Sequence, residues 1–116
     1  MHEIYTRQQK RAEAAHGQVS SQIGGPDNDK YSQLAKKFPA LVHSCGLAQA
    51  VAFVDAKEGD TGSIFLQHLA CVMKLQEGED LKVISRTSPL IMYQRVTLEA
   101  IESATWLKRF SEVLLE

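Results

Sequence analysis

The strongest constraint on this chain is the spacing of its apolar residues, which follows a helical period through most of the sequence and nowhere a period of two. After Ser88-Pro89, a capping residue followed by a proline suited to the first helical position, Met92, Tyr93, Val96, Ala100, Ala104, Leu107, Phe110 and Leu114 share one face at roughly 100° per residue. A helix is expected there, running to about Leu115. Ile91 and Leu98 point roughly the opposite way, so this helix is either central or has apolar surface for a second partner. No window alternates over a strand length with turn signals at both ends, and no sheet is expected.

The rest of the chain extends the pattern. Residues 3–23 place Ile4, Tyr5, Gln8, Ala12, Ala15, Val19 and Ile23 on one stripe, the mark of an amphipathic helix. Gly24-Gly25-Pro26-Asp27-Asn28 reads as a loop, with Asp29 as cap of a helix beginning at Lys30. Pro39 lacks a backbone N–H and disfavours the α conformation at Phe38, so a bend or restart is expected there. The apolar run from Pro39 to Lys57 is the candidate for the most buried helix, with Gly46 as a possible break. The segment 58–62, EGDTG, reads as a loop, Ser63 to Leu75 as a helix closed by Gly78, and Asp80 to Arg86 as a short helix. The expectation is an all-α, compact bundle of about six helices, a single domain over 1–116.

At 116 residues the chain is long enough to bury a core without disulfides or a metal. Thirteen Lys and Arg against fourteen Asp and Glu leave a net charge of −1, so any binding to nucleic acid must come from a local patch. No apolar run approaches the ~18 residues that span a bilayer, and the start lacks the apolar core of a signal peptide. The chain therefore reads as cytoplasmic, with no membrane partner. Cys45 and Cys71, both in apolar helical context, read as buried reduced thiols.

Catalytic and metal candidates fail on spacing. His43, Cys45, His68 and Cys71 supply a zinc ligand set, but His43 and Cys45, two apart, leave a continuous helix on different sides. A cysteine nucleophile needs an exposed electropositive setting, whereas LVHSCGLAQA and HLACVMKL are apolar. Gly59 to Ser63 lacks the lysine and spacing of a phosphate loop and is flanked by acids that do not fit a calcium loop. No catalytic residue, metal or cofactor is expected. The basic residues say more. Arg7, Lys10 and Arg11 gather away from the apolar stripe of the first helix, and Lys36-Lys37 and Lys108-Arg109 are two further pairs. Gathered by the fold, they would bind RNA backbone in a salt-sensitive, sequence-independent way. Without an aromatic platform beside them, base readout is not expected. The alternative is a set of solvated faces on a helical protein-interaction adaptor with no nucleic-acid role.

The segment Tyr31 to Leu47, followed by Ala48-Gln-Ala-Val-Ala-Phe-Val54 and Lys57, resembles the small-subunit family of the type III-B CRISPR effector, the Cmr complex. Tyr93, Thr97 to Ile101 and Trp106 to Phe110 follow that family's C-terminal pattern. The resemblance implies a non-catalytic helical subunit that stacks in a few copies along a filament beside the RAMP backbone subunits and the large subunit. There it would help to form a channel for target RNA. Implied partners are those subunits, other copies of the chain, and the backbone of the guide RNA–target RNA duplex. Candidate phosphate contacts are then Arg7, Lys10, Arg11, Lys36, Lys37, Lys57, Lys108 and Arg109, and candidate subunit-interface residues are Ile91 and Leu98. Trp106 and Phe110 are assigned to the core.

Overall fold

A computed structural model describes residues 4–76 and 78–115. Among them lie six helices and no strand: α1 (Arg7–Ser20), α2 (Asn28–Cys45), α3 (Leu47–Lys57), α4 (Gly59–Val72), α5 (Leu81–Thr87) and α6 (Leu90–Leu114). The all-α architecture is the one the periodicity predicts. None of the helices is long and apolar enough to cross a membrane.

Several boundaries differ from the sequence-based expectation, each for a local reason. Glu3, the expected start of the first helix, lies outside the described residues. The helix begins at Arg7 because Thr6 and Gln9 form a capping box. The Thr6 hydroxyl accepts from the Gln9 N–H at 3.0 Å, and the Gln9 side chain accepts from the Thr6 N–H at 2.8 Å. The stripe shortens accordingly: Ile4 is 95% exposed, Ile23 is also exposed, and Ala15 and Val19 are the buried residues. Helix α2 starts at Asn28, so Asp29 lies in its first turn, where its charge suits the helix N-terminus. Pro39 does not break α2. Phe38 and Val42, on either side of it, are buried against the other helices, and that packing outweighs the lost backbone bond.

Gly46 does divide α2 from α3, with a φ of 86°. A Cβ there would also lie 3.3 Å from the Tyr93 hydroxyl, which accepts from the Ala48 N–H at 3.1 Å and so satisfies an orphan donor at the start of α3. The expected loop 58–62 shrinks to Glu58 alone. Gly62 explains it: a Cβ there would sit 2.7 Å from the Val54 carbonyl, so glycine lets the first turn of α4 lie directly on the last turn of α3. Gly78 does not close α4. Lys74 does, in the left-handed region at φ 61°. Its N–H reaches the Cys71 carbonyl at 3.0 Å and the Leu75 N–H reaches the Ala70 carbonyl at 3.0 Å, the paired bonds of a Schellman end. Asp80 caps α5 by accepting from the Lys82 N–H at 2.9 Å. Ser88 serves the end of α5, donating to the Ile84 carbonyl at 2.7 Å, and Pro89 takes the cap position of α6.

Helix α6 lies along α2 and α1. Its buried row, Ala100, Ser103, Ala104, Leu107 and Ser111, is made mostly of small residues, which lets the helices approach closely. The centre is filled by Tyr31 and Phe38 of α2 and Phe65 of α4, with Phe38 and Phe65 centroids 5.1 Å apart. His68 is buried too. Burial holds its pKa below the usual histidine range and raises that of the Tyr31 phenol, so both groups are neutral, and the Tyr31 hydroxyl and His68 Nδ1 share a hydrogen bond of 2.6 Å. Of the two thiols expected to be buried, Cys45 is half-buried and Cys71 exposed.

Candidate nucleic-acid interface

The capping box fixes where α1 begins, and thereby which of its side chains meet α6. Arg11, expected on the outer side, instead turns inward. Its Nε and Nη2 donate to the two carboxylate oxygens of Glu99 at 3.1 and 2.5 Å, a bidentate pair that raises the Arg11 pKa against the effect of burial. Arg7 reaches the same carboxylate at 3.1 Å, yet its side chain stays 80% exposed where that of Arg11 is 10% exposed. Gln8 completes the joint: it accepts from Trp106 Nε1 at 2.6 Å and donates to Glu102 at 2.7 Å. Trp106, expected in the core, is half-buried and pins α1 to α6 through that bond.

Beside this joint lies a pocket of about 450 Å³ whose lining includes Arg7, Lys10, Arg11, Lys74 and Arg95, with Glu99 as its carboxylate. Apolar side chains of α4's end and of α6 complete the wall. Five cations around one carboxylate leave excess positive charge, a setting that attracts phosphate. Arg7, Lys10 and Arg11 were legible as a cluster in the sequence. Lys74 and Arg95 were not, being solitary cations on different helical segments. The one available signal was the Arg95–Glu99 spacing of one helical turn.

The other predicted contacts do not line this pocket. Lys37 pairs with Glu58 at 2.5 Å and lies 5.3 Å from the centre of the Phe53 ring. Lys36 is half-buried and Lys57 exposed. Near the C-terminus, Lys108 is half-buried, while Arg109 is exposed and approaches Glu112 at 3.9 Å. Ile91 and Leu98 are 67% and 65% exposed on α6, with Leu90 beside them. Met92, assigned by periodicity to the inner face, is also exposed, because the packed part of α6 begins beyond its first turn. Among the described residues, no group of three His, Cys, Asp or Glu side chains is placed to hold a metal. His68 is committed to Tyr31, and the Cys45 thiol lies 3.1 Å from the Leu41 carbonyl.

Comparison with known proteins agrees with the resemblance drawn from the two sequence motifs. Residues 7–114 match the family model described as CRISPR-associated protein (Cas_Cmr5). The CRISPR system Cmr subunit Cmr5 of Thermus thermophilus is 34% identical over 111 residues, covering 96% of this chain and 97% of that protein. A crystal structure of a CRISPR-associated Cmr5 family protein from the same organism superposes with a TM-score of 0.87 at 34% identity, covering 97% of this chain and 100% of that one. With the match spanning α1 to α6, this chain belongs to the Cmr5 family, the small subunits of type III-B CRISPR Cmr complexes.

Proposed function

We propose that the chain is a single-domain, non-catalytic subunit of a cytoplasmic type III-B RNA-guided complex. In this role it stacks along the filament with other copies of itself, beside the RAMP backbone and large subunits, and contributes positive charge to a channel for target RNA. The observation that carries the proposal is the family match over residues 7–114. Family membership supplies the complex, and the basic side chains supply the chemistry toward an RNA backbone. Arg7, Lys10, Lys36, Lys37, Lys57, Lys108 and Arg109 are the proposed contacts with the guide–target duplex backbone. Arg11 acts indirectly, by holding Glu99 and keeping α1 in place. Ile91 and Leu98 form the proposed subunit interface, since exposed apolar residues on one face of a helix favour a protein partner.

The test reconstitutes the remaining complex components with and without the chain, and with Lys36, Lys37, Lys108 and Arg109 changed to Glu. Target-RNA affinity should fall without the chain and with the charge-reversed variant, and its salt dependence should become shallower. Unchanged affinity and slope would sink the channel role. The exposed Ile91 and Leu98 also suit a second reading, an interaction adaptor with no RNA role. That reading predicts loss of assembly in Ile91→Asp and Leu98→Asp variants but no effect of the charge reversals.

A further inference from the structure

Two cavities adjoin along α1. The basic pocket, about 450 Å³, shares Lys10 and Lys74 with a second cavity of about 760 Å³ whose wall includes Tyr5, His16 and Phe110. The rings of His16 and Phe110 stand edge to face, 5.2 Å between centroids and 89° between planes, so flat groups are already fixed on that wall. Tyr5 is partly exposed at 51%. Both volumes fall within the range of small-ligand sites. The aromatic platform absent from the linear sequence is thus assembled by folding, when the C-terminal part of α6 brings Phe110 beside α1. Lys74 occupies the left-handed position at which a Schellman end ordinarily takes glycine, and it lines both cavities.

A nucleotide joins the two chemistries that these cavities separate, an anionic phosphate and a flat aromatic base. We propose that the paired cavities bind one unpaired nucleotide unit. Its phosphate would lie among Lys10, Lys74, Arg7 and Arg95, and its base against Tyr5 and Phe110. A free mononucleotide and a nucleotide within single-stranded RNA present the same chemistry. The site goes beyond the channel role, which needs charge but no base contact, and it is a property of the chain itself.

The experiment titrates the full-length chain, at low salt, with AMP, with inorganic phosphate and with a single-stranded adenylate hexamer. AMP, the hexamer or both should bind more tightly than phosphate, because base stacking adds to the charge contact. Tyr5→Ala and Lys74→Gly should each weaken that binding about tenfold. Glycine suits the backbone at position 74, so loss of binding in that variant reports the missing charge and not a damaged fold. Binding of the hexamer without AMP would assign the site to an RNA strand, and equal affinity to a free nucleotide; either supports the proposal. Phosphate binding as tightly as AMP and the hexamer, an unaffected Tyr5→Ala variant, or no binding at all would overturn it. The channel test uses Lys36, Lys37, Lys108 and Arg109, none of which lines either cavity, so the two can fail separately.

Discussion

Where α2 meets α4, Phe38, Phe65 and Tyr31 are fully buried and the titratable pair, Tyr31 with His68, is neutral. Where α1 meets α6, contact runs through Arg11, Glu99, Gln8, Glu102 and Trp106, in a network open to solvent at its edge. Apolar burial responds weakly to ionic strength, whereas charge-assisted bonds near the surface are screened by it. The difference matters because the cations of the basic pocket ride partly on α1. Glu99 both fastens that helix and offsets the charge of the pocket, so docking and electrostatics are coupled at the edge and independent at the centre.

The largest expected effect is at the centre. Phe38→Ala should lower unfolding free energy by about 3–5 kcal/mol, seen in chemical denaturation and nearly independent of salt. Next, Glu99→Gln removes the carboxylate that Arg11 grips and should cost about 1–3 kcal/mol. Amide exchange should rise in α1 while α2 and α4 stay protected; an equal rise everywhere would break the contrast between the two regions. Tyr31→Phe leaves the buried His68 Nδ1 without its hydrogen-bond partner and should cost about 1–2 kcal/mol, spread over the whole molecule. The same pair sets a pH dependence. The folded state holds His68 neutral, so the unfolded chain binds the proton more strongly. The contribution is full above about pH 6.5 and declines as pH falls below that value. The smallest effect has the opposite sign: Lys74→Gly relieves a left-handed lysine and should stabilise by about 1 kcal/mol in thermal unfolding.

The centre was far more legible in the sequence than the edge. Ala100, Ala104 and Leu107 recur at helical spacing, so their shared inner face follows from the period alone. The segment EGDTG shows where that logic stops: its composition reads as a loop, yet Gly62 is there for a close helix contact that only the folded neighbour, Val54, reveals. The basic cluster on α1 was visible, but the burial of Arg11 depends on Glu99, 88 residues away. Lys74 carries no local signal and Arg95 only its one-turn spacing from Glu99, since their common pocket exists only once α4 and α6 are packed.

The most direct measurement is the salt dependence of target-RNA affinity for the reconstituted complex, comparing the natural chain with an Arg7→Glu, Lys10→Glu, Arg95→Glu variant. These side chains line the basic pocket; Arg11, which grips Glu99 with two bonds, is unchanged, while Arg7→Glu removes the second cation on that carboxylate. If the edge neutralises phosphates, the variant should bind more weakly at low salt, and its log–log slope should flatten by about 1 for each phosphate that is no longer neutralised. Identical slopes and affinities, with the complex fully assembled, would contradict the account.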